Sequence, residues 1–154
     1  MSKFILSVGI LAFATFSCET PKQVSLETPN VNTLVADDAI VEKYWKLVEL
    51  NGKQVTVGAN GKEPHMILKK ENNRVNGNGG CNSFIGGYEL KGNGSIKFTQ
   101  MAGTLMACMN DDGTESAFLK VLGNVDSYYV KGDTLQLNRA RMAPLAKFQA
   151  VYLK

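Results

Sequence analysis

Between Asn76 and Cys108 the chain reads NGNGGCNSFIGGYELKGNGSIKFTQMAGTLMAC, a glycine-rich bend that carries one cysteine, followed by β-prone residues and a second cysteine. Five glycines fall between Gly77 and Gly87. Such density calls for positive φ angles or close backbone approach, which only glycine accepts without steric cost. Asn82 also tolerates a left-handed conformation and can bond its own turn. No helix follows the bend directly, and no lysine stands where a phosphate-binding loop would place it. The stretch therefore reads as turn architecture rather than an anion cradle.

The start of the chain has a different character. Met1-Ser2-Lys3 is a short positive region, and the apolar run from Phe4 to Phe16 is shorter than the roughly 20 residues of a membrane-spanning helix. This pattern predicts a signal peptide over 1–17. Thr15-Phe16-Ser17-Cys18 resembles a bacterial lipobox, in which the cysteine sulfur receives a diacylglycerol; the alternative is an ordinary secretory signal with a stray cysteine. Several acyl chains at about 0.8 kcal/mol per buried CH₂ would make such an attachment effectively permanent. Residues 18–40, rich in Thr, Pro, Asn and acidic side chains without apolar periodicity, read as a flexible linker, leaving 41–154 as the folded domain. Loss of Lys3 with the leader lowers the net charge of +3 by one, and the remaining basic residues are scattered, which argues against a nucleic-acid partner.

The body of the domain alternates in short runs broken by Gly, Asn and Asp. Tyr44 to Leu50 ends at Asn51-Gly52, a strong turn signal, and Lys53 to Val57 suits a short return strand. Met66 and Leu68 share one face of a third strand, and Arg74 begins a fourth. Hairpins are expected around Gly92-Asn93-Gly94 and Gly132-Asp133, and Lys147 to Leu153 is the closing strand. Phe118, Leu119 and Leu122 instead recur at helical spacing, with a side-chain cap from Asp112 or Thr114 and a stop at Gly123. One helix is predicted over 114–123. Antiparallel strands with a single helix suggest a small closed or nearly closed β-barrel, with a two-sheet sandwich as the alternative.

Several of these residues together resemble the META domain, the HslJ-like family of bacterial envelope proteins. The resemblance rests on Trp45 and Leu47, on Pro64-His65-Met66-Ile67-Leu68, on Gly77-Asn78-Gly79-Gly80-Cys81-Asn82 through Tyr88, and on Thr104-Leu105-Met106-Ala107-Cys108, with Glu115 in the helix and Leu135-Gln136-Leu137 near the end. It covers roughly Val41 to Lys154. The family pattern has Ser where this chain has Gly103, so the local turn there can differ. The resemblance implies a small lipocalin-like barrel of about eight strands with one helix, and a stress-related role in the envelope. It carries no established catalytic residues. Trp45, Gly77, Gly80, Asn82, Tyr88 and Thr104 are its structural motif positions.

Cys81 and Cys108 are the cysteines left once Cys18 is lipidated, and export places both outside the cytoplasm. An even pair there predicts a disulfide, with two buried thiols in contact as the alternative. The inventory for catalysis is thin. His65 is the single histidine, read as an outward polar residue on a strand. Met101, Met106 and Met109 beside Cys108 could suggest a soft copper(I) site, but methionine more often fills a core. Asp111, Asp112 and Glu115 could hold calcium weakly, but suit the positive end of the helix dipole. Ser83 and Thr104 lack a nucleophile context.

The sequence therefore predicts no catalytic, cofactor or metal site. It suggests a noncatalytic monomer in the cell envelope, with the outer membrane favoured over the inner, attached to the membrane by its N-terminal lipid. Two further uses stay open: a small apolar ligand or peptide carried in the barrel interior, or an envelope protein bound through a loop containing Phe84, Ile85 and Tyr88.

Overall fold

The computed structural model describes residues 37–58, 61–109, 112–140 and 142–152. The expected signal peptide, Cys18 and most of the linker lie outside the described residues. Among the described residues, nine strands form one antiparallel sheet: β1 Tyr44–Leu50, β2 Lys53–Gln54, β3 His65–Lys69, β4 Arg74–Asn78, β5 Ser83–Leu90, β6 Ile96–Gly103, β7 Ser127–Lys131, β8 Thr134–Asn138 and β9 Ala146–Val151. They run in the order β6-β5-β4-β3-β1-β9-β8-β7, with β2 folded back on β1. Asn51 and Gly52 both take positive φ, which matches the twist of a tight hairpin. The return strand is shorter than expected, although Val55 N–H still donates to Val48 O at 2.9 Å.

The sheet curls into a half-barrel whose two edge strands meet at one corner. Ser95 bridges Ser127 there, Tyr128 N–H donates to Gly94 O at 2.7 Å, and Ile96 N–H donates to Asp126 O at 3.1 Å. The helix α1, Thr114–Leu122, links the two edges and buries Phe118, Val121 and Leu122. Phe118 stands between Phe84 of β5 and Phe148 of β9, with ring centroids 5.5 and 5.7 Å away. Asp112 Oδ1 accepts from Thr114 N–H at 2.9 Å, so the acidic residue binds the first turn while Gly113 occupies the cap position.

The inward positions follow the period-2 pattern of the strands. Trp45, Leu47, Met66, Leu68, Phe98, Leu135, Leu137 and Phe148 are all buried, and they form one core with the helix. Trp45 also donates its indole N–H to Ile40 O at 2.8 Å. Among the described residues, no helix is long and apolar enough to cross a membrane.

Two expectations require correction. The folded unit begins by Asp37, ahead of the expected boundary after residue 40: Ile40 is fully buried, and Tyr128 OH donates to Asp37 Oδ1. The segment from Phe84 to Tyr88 is the middle of β5, not a loop. Phe84 and Tyr88 point inward and are 2% and 4% exposed, so only Ile85 of the three is offered to a partner. Tyr88 uses its hydroxyl to donate to Lys69 O at 3.1 Å.

Burial, then the neighbouring Glu63 charge, pushes the Tyr44 phenol up to about 12. Burial and the hydrogen bond to Asp37 also raise that of Tyr128. Both phenols hold their protons more tightly in the folded chain, so the unfolded chain releases protons first as pH rises past 10. Stability present below pH 10 should fall as pH rises toward 12. Thermal melts across that range should decline less steeply for a Tyr44→Phe/Tyr128→Phe chain than for the parent, and equal slopes would reject the linkage.

Candidate functional site

The glycine bend between β4 and β5 meets three other segments at one end of the barrel. Gly80 has a φ of +111°, and its Cα lies only 2.2 Å from where a Cβ on Gly58 would stand. Gly79 is equally constrained, since a Cβ there would come within 2.5 Å of the Glu115 side chain. These contacts turn the bend tightly enough to bring Cys81 and Asn82 against the start of α1. Asn78 assists by accepting from Gly80 N–H at 2.8 Å.

Cys81 and Cys108 form a disulfide with Cα atoms 6.0 Å apart. Beside it, the nearly buried Asn82 side chain is bonded at both ends. Its Oδ1 accepts from Thr104 Oγ1 and from Met106 N–H, each at 2.8 Å. Its Nδ2 donates to Glu115 Oε1 at 2.9 Å and to Met106 O at 3.1 Å, and it lies 3.4 Å from Cys108 Sγ and 3.8 Å from Cys81 Sγ. The backbone N–H of Asn82 donates to the other Glu115 oxygen. One amide thus ties the glycine bend, the segment after β6 and the helix start into a single polar knot.

The structure brings Gly80, Asn82, Thr104, Cys81 and Cys108 together here. Gly77 sits nearby in β4, where a Cβ would meet His65 O at 2.1 Å and the Phe84 ring at 2.5 Å. Trp45 and Tyr88 lie in the core away from the knot, joined to it only through the fold. Glu115 is the knot residue whose partner the sequence did not reveal: it reads there as helix-dipole charge, or as a weak calcium ligand with Asp111 and Asp112. Its place in the family pattern was the available signal, and its actual partner lies 33 residues earlier.

The methionines do not make a soft-metal cluster with a free thiol, because Cys108 sulfur is bonded to Cys81. Met101 packs against the core, whereas Met106 and Met109 are exposed. Leu105 is 99% exposed, yet it lies between Thr104 and Met106, both held by Asn82. Ile85, half exposed, and Ala102 face each other across β5 and β6.

A second feature lies on the outer face of the sheet. Tyr44, His65, Ile67, Asn76 and Ile85 line an open cleft of about 530 Å³. The Tyr44 and His65 rings stack at 4.4 Å, His65 Nδ1 lies 2.8 Å from Glu63 O, and Tyr44 OH donates to Glu63 at 3.1 Å. Lys46 pairs with the same carboxylate. These contacts place His65 on the outer face.

A family model described as the META domain matches residues 38–152. Among solved structures, an NMR structure of a protein from Burkholderia xenovorans is 25% identical, with a TM-score of 0.59 over 74% of this chain and 85% of that one. A second NMR structure is 20% identical, with a TM-score of 0.57 over 73% of this chain and 92% of that one, a likeness of fold alone. No curated protein matches the chain significantly.

Proposed function

The chain belongs to the META domain family, and from that membership we propose a noncatalytic, lipid-anchored protein of the cell envelope that acts in stress tolerance through binding or envelope maintenance. Cys18 carries the lipid, the following residues are the tether, and the outer membrane holds it. With its disulfide formed, the domain works as a monomer without a cofactor.

The observation that carries the noncatalytic reading is the saturation of the family motif. Asn82, Thr104 and Glu115 spend their polar atoms on one another and on backbone groups. A reaction centre needs groups aimed at a substrate instead. The stress role rests on the family resemblance alone. The carrier alternative has less support, because Trp45, Leu68, Phe98, Leu137 and Phe148 occupy the interior that a guest would need. The interaction-module alternative has more. Exposed Leu105, Met106, Met109 and Ile85 offer apolar surface to an envelope protein.

Complementation of a strain lacking the chain tests this reading. The parent chain should fractionate with membranes and restore tolerance to heat or envelope stress. Cys18→Ala should fractionate as soluble protein and restore less. A Cys18→Ala chain that stays with membranes would remove the anchor from the proposal, and a deletion without a stress phenotype would remove the stress role.

A further inference from the structure

Asn82 Nδ2 is approached by three atoms of metal-ligating type: Glu115 Oε1 at 2.9 Å, Cys108 Sγ at 3.4 Å and Cys81 Sγ at 3.8 Å. The two sulfurs and a Glu115 carboxylate oxygen lie within 4.8 Å of one another. An amide NH₂ is the positive end of a dipole, so these electron-pair donors already converge on one electropositive point. While the sulfurs are bonded to each other they carry no charge. Reduction by two electrons turns them into thiol or thiolate ligands beside a carboxylate.

We propose that the reduced Cys81–Cys108 pair and Glu115 form a binding site for one divalent cation of the zinc class, with the disulfide as the closed form of that site. Two thiolates exclude hard cations such as magnesium, and a carboxylate suits zinc better than copper(I). With Zn–S near 2.3 Å, the sulfurs need to part to about 3.8 Å in a tetrahedral site. The Cα separation of 6.0 Å accommodates this. Both cysteines lie outside regular secondary structure, but Cys81 is buried against the glycine bend and Cys108 is partly exposed, so Cys108 is the half that moves. Its exposure leaves the fourth coordination position to water. Asn82 then acts as an outer donor that holds the ligands in place.

The opening step balances with a dithiol reductant. One thiolate of the dithiol attacks Cys108 Sγ, the Cys81–Cys108 bond breaks, and Cys81 leaves as thiolate. The second dithiol sulfur displaces Cys108 and closes the reductant's own disulfide. The pair gains two electrons and the dithiol's two protons, and the cation displaces those protons on binding.

The test uses the Cys18→Ser chain, which lacks the third thiol, reduced without oxygen by a phosphine. Cobalt(II) should bind with one equivalent, giving tetrahedral ligand-field bands and a thiolate-to-cobalt charge-transfer band that zinc abolishes. The oxidised chain should give neither. Glu115→Gln should keep the charge-transfer band but bind zinc at least about tenfold more weakly in competition with a chromophoric chelator. Cys108→Ser should lose most of the band. The proposal fails if the reduced chain shows no thiolate band, if Glu115→Gln binds zinc as tightly as the parent, or if circular dichroism finds the reduced chain unfolded.

Discussion

Asn82→Ala is expected to destabilise the domain by about 2–3 kcal/mol, because a nearly buried amide gives up several hydrogen bonds, one of them to a carboxylate, in a part-buried network. The substitution leaves the Glu115 carboxylate, the Thr104 hydroxyl and both Met106 backbone groups short of the partner that now satisfies them. For a domain of this size the melting temperature should fall by roughly 10 °C. Asn82→Asp keeps the shape but sets a carboxylate against Glu115, so at neutral pH it should not recover the loss. Chemical denaturation of the three chains measures this directly, and a change below about 1 kcal/mol for Asn82→Ala would mean that the knot contributes little.

Reduction of the Cys81–Cys108 bond is expected to cost roughly 3–4 kcal/mol by chain-entropy arithmetic, for cysteines 27 positions apart. That is a large share of the net stability of a small domain, typically about 5–15 kcal/mol. The urea midpoint should fall on adding reductant, and Cys81→Ser/Cys108→Ser should show the same midpoint with and without it. Thiol titration of denatured, unreduced protein should find none of these two sulfurs free. Two titratable thiols besides Cys18 would reject the bridge.

Local chemistry made much of the architecture legible. Asn51-Gly52, Gly92-Asn93-Gly94 and Gly132 mark hairpins because these residues accept the positive φ that such turns require, and Phe118 and Leu122 mark the buried face of the helix. The β5 segment misled because Gly86-Gly87 looks like a loop. Phe84, Gly86 and Tyr88 in fact alternate inward, and Gly86 leaves room for Met101, whose sulfur lies 2.4 Å from where a Cβ would stand. The knot was half legible: the bend and both cysteines announce themselves in sequence, but Glu115 reaches Asn82 only after the chain has travelled through β5 and β6. Strand order is a long-range property, so nothing local in Tyr44–Leu50 announces its pairing with Ala146–Val151.

That pairing governs when the domain can assemble. β9 lies between β1 and β8, so the last of the described strands joins the first to the β7–β8 hairpin in the middle of the sheet. A chain emerging from its N-terminus can build β3 through β6 as successive hairpins, but the halves stay separate until residue 151 is free to enter. Completion of the sheet therefore waits until Val151 is available, and a chain clipped just before Ala146 loses its central seam rather than a dispensable edge.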